Sequence, residues 1–195
     1  MIRLVLASNN QHKVTEIRNI LPKSFNLIDL SSAGLHSDLP ETTGTIKGNA
    51  IQKAQFVWEK LGVECIADDS GLEVDVLCGR PGVDSAHYSG FPISAERNMD
   101  LLLAELLECN DTSASFVTIL ALVRNGEVFL FEGRIYGHIT RVARGEAGFG
   151  YDPVFVPRGY SQTFAEMDPN IKNEISHRAI ALHKLKAYYD SLIFE

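Results

Sequence analysis

The stretch SFVTILALVRNGEVFLFEG, residues 115–133, decides the architecture. Two apolar-rich runs, 115–124 and 127–133, flank Asn125-Gly126. Asn-Gly between such runs is the strongest short-range hairpin signal, because both central residues of a type I′ turn need positive φ. An antiparallel pair is therefore expected here. The first half of the chain reads differently. Residues 2–7 form an apolar run of strand length, and 13–21 space Val14, Ile17 and Leu21 along one helical face. Residues 25–30 read as a short strand. Residues 46–61 repeat Ile46, Ala50, Ile51, Ala54, Val57, Trp58 and Leu61 at helical intervals, and strands are expected at 64–67 and 72–77. Ser94 is placed to cap a helix reaching about Leu107. Residues 134–142 and 154–156 read as further strands, and 176–192 as a closing helix. Strand–helix alternation plus a hairpin predicts an α/β domain of mixed α+β character around a mixed sheet.

Totals narrow the function classes. The 195 residues suit a single domain, 1–195, without a linker, and a hydrophobic content of 45% suffices for a real core. A net charge of -7 argues against a nucleic-acid binder, which normally carries a basic face. It leaves room for one small anion in a local basic pocket. Cys65, Cys78 and Cys109 are odd in number and lack metal-ligand spacing, so a reducing, cytoplasmic setting is expected. The N-terminal apolar run is too short for a secretory signal, and the longest one, 116–123, is too short to span a bilayer. No membrane role is expected.

Four segments could carry chemistry. Asp68 and Asp69 stand side by side after the apolar Cys65-Ile66-Ala67. Adjacent carboxylates repel, and a surface counter-ion, a lysine or a metal would relieve them. With Ser70-Gly71 read as a sharp turn, both could converge on one point, which neighbours in mid-strand cannot do. Glu41 is a third candidate oxygen ligand. Oxygen ligands without His or Cys select Mg²⁺ or Mn²⁺ over zinc. An ordinary polar turn is an equal alternative. Ser8, Asn9 and Asn10 precede a helix start containing Gln11, His12 and Lys13, a layout suited to a phosphate or to a plain N-cap with a solvated lysine. Neither a Walker loop nor G-x-G-x-x-G is present. Gly148 and Gly150 flank Phe149, an aromatic that can stack on a base or pack inward with Tyr151, while Asp152 can accept from a base N–H. Lys172, His177 and Arg178 lie around the start of the last helix, where cations at the positive dipole end point to an electron-rich partner.

Together these segments resemble the inosine triphosphate pyrophosphatase family, also described as XTP/dITP diphosphatases. The matching pieces are SNNQHK, ADDSGLEVDVLCGRPGVDSAHYSG, GFGYDP and ISHR, spread from Ser8 to Arg178. The resemblance implies an elongated two-lobed domain around a long, twisted mixed sheet with flanking helices and an active site in the cleft between lobes. It also implies a homodimer, Mg²⁺ dependence with Mn²⁺ as a substitute, and hydrolysis of a purine nucleoside triphosphate to monophosphate and pyrophosphate. Carried onto this sequence, Ser8, Asn9, Asn10, Gln11, His12 and Lys13 would bind the triphosphate, with Lys53 a further cation. Glu41, Asp68 and Asp69 would serve the metal, and Asp69 would be the base. Ser70 would touch the ligand, Phe149 would stack on the base, Gly150, Tyr151 and Asp152 would line its pocket, and Lys172, His177 and Arg178 would contact its edge. Two positions depart from the family pattern: Gly48 stands where a glutamate is usual, and His87 where an arginine is usual. Two other readings compete. One is a Maf-type pyrophosphatase acting on modified pyrimidine nucleotides. The other is a catalytically silent nucleotide-binding protein, against which the intact Asp68, Asp69, Lys13 and Lys53 count.

Overall fold

The computed structural model describes residues 1–192. Among them are strands β1 (Ile2–Ala7), β2 (Phe25–Asp29), β3 (Cys65–Val74), β4 (Ser113–Arg124), β5 (Glu127–Ile139) and β6 (Phe155–Pro157). The α-helices are α1 (Gln11–Ile20), α2 (Ile46–Leu61), α3 (Ala95–Glu105), α4 (Pro169–Ile175) and α5 (His177–Ser191). The strands form one mixed sheet in the order β2-β1-β3-β4-β5-β6. β1 runs parallel to both neighbours, with Val5 opposite Ile28 and Cys65, and its residues Leu4 to Ala7 are buried. A parallel strand covered on both faces needs such a continuous apolar run. The expected α/β class is borne out. No described helix is long and apolar enough to cross a membrane.

The chain resolves into two compact units. One comprises Met1–Asp69, Thr118–Gly133 and the stretch from His177 onward, and the other Ser70–Val117 and Arg134–Ser176. In the first, α1 packs on α5 over a core that includes Leu4, Leu6, Ile17, Ile66, Leu120 and Leu182. In the second, Leu72, Leu102, Phe116, Val154, Phe155 and Phe164 form the core. Local signals explain most element ends. The hairpin closes through Asn125 and Gly126 at φ 51° and 81°, as a type I′ turn requires. Thr45 Oγ1 accepts from Gly48 N at the start of α2, and Gly62, at φ 63°, ends it in the left-handed conformation. Ser94 Oγ caps α3 through Arg97 N, as expected.

Three expectations are corrected. Residues 64–67 and 72–77 are not two strands about a turn: β3 runs unbroken through Asp68, Asp69, Ser70 and Gly71, and Asp75–Leu77 is a short 3₁₀ helix. The aspartates do not end the strand because buried cations neutralise them, as described below. Residues 127–133 and 134–142 likewise belong to one strand, β5, ending at Ile139. Gly133 is there for close approach: a Cβ would stand 2.6 Å from Ala181 N and closer still to His177 O, at the start of α5. Finally, α5 starts at His177 and is preceded by a separate helix, α4, which the hydrophobic periodicity does not reveal. Its signal is Asp168-Pro169, an N-cap whose carboxylate accepts from Asn170 N, followed by proline at the first helical position.

Candidate functional site

Because Asp68 and Asp69 are mid-strand neighbours, the pleat directs them to opposite faces. Each meets its own cations. Asp68, fully buried, pairs with Lys13 Nζ at 2.8 Å and accepts from Arg178 Nε at 3.1 Å. Arg178, 1% exposed, also donates to Glu16 on α1. Asp69 accepts from Lys53 Nζ at 2.7 Å, and the same ammonium donates to Glu41 at 2.6 Å. Among these residues four carboxylates face three cations. Of the three sources of relief considered for the aspartate pair, the structure shows lysine, joined by arginine.

The two carboxylates are driven apart in acidity. Burial works to raise the pKa of Asp68, but Arg178 and Lys13 outweigh it and hold the carboxyl well below its ordinary value. For Asp69 burial prevails over Lys53 and Lys13, and the pKa rises. Each aspartate also feels the other's lysine. Burial opposes the charge on Lys53, yet Asp69 and Glu41 keep its pKa above the usual lysine value. Paired groups pushed in opposite directions divide naturally into a fixed anion and a titrating one.

Glu41 reaches Lys53 through a clasped loop. Thr42 N donates to Gln52 Oε1 at 2.9 Å, and Thr43 N donates to Asn49 Oδ1 at 3.1 Å, both on α2. Gly48 makes this possible, since a Cβ there would stand 2.7 Å from the Thr45 hydroxyl oxygen and also collide with the Thr43 side chain. Glutamate at 48 would displace that loop. The Glu41, Asp68 and Asp69 trio does not converge. Glu41 and Asp69 do, on the point that Lys53 Nζ occupies, and among the described residues no group of three or more His, Cys, Asp and Glu could hold a metal.

At the start of α1, Asn10 Oδ1 accepts from His12 N at 3.0 Å and Lys13 N at 3.2 Å, while Ser8 Oγ accepts from Asn10 N. The N-cap reading is thus realised, and it uses two of the N–H groups that an anion would seek. Asn9, Gln11 and His12 are exposed beside them. Lys13 is not a solvated lysine, because it turns onto Asp68.

The aromatic turn forms a second group. Gly148 and Gly150 have φ 78° and 62°. Asp152 Oδ2 accepts from Phe149 N at 2.8 Å and from Lys172 Nζ at 2.7 Å. Lys172 Nζ lies 5.4 Å from the Phe149 ring centroid, a cation–π distance. Tyr151 packs inward, 4% exposed, and its hydroxyl donates to Ser85 O at 3.0 Å. Asp152 and Lys172 are buried as a pair. His177 is buried at the start of α5, and Ser70 is half-buried in β3. His87 stacks on exposed Phe91 at 6.1 Å and faces Asp84 at 3.4 Å.

A family model described as the Ham1 family matches residues 4–188. The chain belongs to the Ham1 family. The resemblance read from the four motifs is thereby borne out. Among the curated relatives of this Ham1 chain is the dITP/XTP pyrophosphatase of Flavobacterium psychrophilum, 46% identical, with 96% of this chain and 99% of that protein covered. The dITP/XTP pyrophosphatase of Porphyromonas gingivalis is 45% identical over 96% and 97%. The solved HAM1 protein of Coxiella burnetii superposes with a TM-score of 0.90 at 36% identity, covering 98% of this chain and all of that one. The Staphylococcus aureus Ham1 protein gives 0.88 at 37%, over 97% and 98%.

Sequence reading of the Ham1 chain missed Glu16. Its signal is helical spacing: three residues beyond Lys13, it shares that lysine's face of α1. Ser85, whose carbonyl accepts from the Tyr151 hydroxyl, lies inside a quoted motif but was given no role there, and Asn98, which donates to the same carbonyl, carried no local signal.

Proposed function

We propose that this protein hydrolyses the non-canonical purine nucleoside triphosphates dITP, XTP and ITP between the α- and β-phosphates, releasing the monophosphate and pyrophosphate in a Mg²⁺-dependent reaction. Full-length membership in the Ham1 family, beside relatives named dITP/XTP pyrophosphatases, makes the chain a nucleoside triphosphate pyrophosphatase. Neither a Maf-type activity nor a silent binding role is favoured by those relatives. The observation that carries the chemical reading is the convergence of Glu41 and Asp69 on one cation.

Two converging carboxylates suit Mg²⁺, which takes one or two protein carboxylates and completes its shell with phosphate oxygens and water. Glu41 and Asp69 would hold it, and Asp68, committed to Lys13 and Arg178, would not. When bound, Mg²⁺ supplies positive charge to the phosphate oxygens. Asp69, whose pKa burial raises, accepts the proton of the water that attacks the α-phosphorus. Asp68 stays ionised and fixes Lys13 and Arg178. An ammonium has three donors. Lys53 directs two at carboxylates, and with Lys13 it offers charge to the departing pyrophosphate. Ser8 to Lys13 line that phosphate end.

Phe149 would stack on the base, with Gly150, Tyr151, Asp152 and Lys172 shaping its surroundings and His177 and Arg178 donating to the C6 oxygen of a 6-keto purine. Facing adenine, those donors would meet an amino group, at a cost of about 1–3 kcal/mol for a buried unsatisfied donor. A homodimer in the cytoplasm completes the proposal; the family resemblance supports the first, and the three free cysteines the second. A panel of triphosphates, assayed with and without Mg²⁺ and resolved by chromatography, tests the reading. Monophosphate and pyrophosphate from dITP and XTP are expected. Diphosphate and orthophosphate, or preferred cleavage of a pyrimidine substrate, would refute it.

A further inference from the structure

One anchor of the aromatic turn is the Ser85 carbonyl oxygen. Ser85 O accepts from the Tyr151 hydroxyl at 3.0 Å and from Asn98 Nδ2 at 3.3 Å. Asn98 lies in α3, 2% exposed, and its remaining polar atoms are also engaged. Nδ2 donates to Ala86 O at 2.9 Å, while Oδ1 accepts from Ser89 N at 2.8 Å and Ser89 Oγ at 2.7 Å. Ser85 is fixed in turn. Its hydroxyl donates to Gly82 O at 2.6 Å and accepts from Leu72 N, on β3, at 2.9 Å. The carbonyl is therefore set by α3 and β3 together, and one side chain of the turn reads its position.

That matters because the turn is built on glycine. With Gly148 and Gly150 both in left-handed backbone, little local preference holds the Phe149 ring. Besides the Lys172 ammonium near its ring, Phe149 is placed by Asp152, which accepts from Phe149 N and Lys172, and by Tyr151, which donates to Ser85 O. The Tyr151 hydroxyl is a dependable donor, since burial, with Tyr88 and Glu105 nearby, pushes its pKa above the ordinary tyrosine value. We propose that Ser85 and Asn98 are positioning residues that set the aromatic turn through the Tyr151 hydroxyl and so govern affinity for the purine base. This rests on assigning the base to the Phe149 turn.

Tyr151→Phe removes one oxygen and keeps the ring in the core. Asn98→Asp keeps the acceptor for Ser89 and loses the donor to Ser85 O. Both are measured in the intact protein, with Phe149→Ala as reference, by steady-state kinetics on dITP and by calorimetric binding of dIMP. Tyr151→Phe loses one neutral hydrogen bond and Asn98→Asp the two that Nδ2 donates, to Ser85 O and Ala86 O, which predicts a KM raised about fivefold to tenfold in the first variant and at least as much in the second, with dIMP weakened in step and kcat changed less than about twofold. Since both donors share one acceptor, the double variant should fall well short of the product of the single effects. A loss confined to kcat, or independent multiplication of the effects, would overturn the proposal. So would an unchanged KM in Tyr151→Phe while Phe149→Ala raises it. If Phe149→Ala itself leaves KM and dIMP binding unchanged, the base assignment fails and this inference falls with it.

Discussion

Gly133→Ala is the sharpest test of how the fold holds the charged site. The glycine lies in β5 where it passes the first turn of α5. An added Cβ would stand 2.6 Å from Ala181 N, whereas ordinary contacts begin near 3.4 Å, so strand and helix must part by at least about 0.8 Å. Both atoms it meets are backbone, and no rotamer change can relieve the clash. Arg178 rides on that first turn, and its 3.1 Å bond to Asp68 would stretch beyond hydrogen-bonding range if the helix took up the shift. Overpacking of this kind costs about 1–3 kcal/mol. Loosening the buried Arg178–Asp68 pair raises the total to roughly 2–4 kcal/mol. For a chain of this size that lowers Tm by roughly 4–16 °C. Calorimetry reads the stability, and kcat/KM on dITP should fall more than about tenfold. A Tm within about 1 °C of wild type with unchanged kcat/KM would refute the argument that this contact sets the start of α5.

Further outcomes follow from the same site. Asp68→Asn takes from buried Arg178 and from Lys13 a carboxylate that both pair with, leaving Arg178 its ion pair with Glu16, and should cost about 3–5 kcal/mol at pH 7. The folded-state pKa of Asp68 is depressed, so its stabilisation is present above the unfolded carboxylate value near about 3.9 and is lost as the pH falls below it; the variant's acid-unfolding curve should be flatter there. Asp69 has the opposite sign: its raised pKa makes protonation favour the fold as the pH falls. Arg178→Ala should narrow the ITP/ATP ratio in kcat/KM, and an unchanged ratio would remove the residue from base recognition. Brief alkylation followed by mass spectrometry should label exposed Cys78 and spare Cys65, whose thiol burial pushes up to about 12; prompt labelling of Cys65 would contradict its burial.

Much of the fold was legible because its signals are local. Asn125-Gly126, the apolar run of β1 and the seven periodic apolar positions of α2 each depend on a few neighbours. What escaped depends on distant partners. The Asp68-Asp69 pair reads as a strand breaker until Lys13, Lys53 and Arg178 arrive from α1, α2 and α5 to neutralise it in mid-strand. Gly133 reads as a stop, since nothing local shows that a helix will press against it. The candidate site divides the same way. Residue types were readable from motifs, but not the pairing that joins Glu41 to Asp69 and sends Asp68 elsewhere. Glu41 reaches its place through Asn49 and Gln52, eight and eleven residues along the chain, and Arg178 reaches Asp68 across 110 residues.

In the proposed mechanism Asp69, and not its neighbour, accepts the proton of the attacking water. The most direct measurement is single-turnover pyrophosphate release from dITP under saturating Mg²⁺, comparing wild type with Asp69→Asn at matched folded fraction. The variant should bind nucleotide and keep no more than about a hundredth of the rate, a barrier increase of about 2.7 kcal/mol or more. A variant retaining more than about a tenth of the wild-type rate would contradict the assignment and move the base elsewhere in the site.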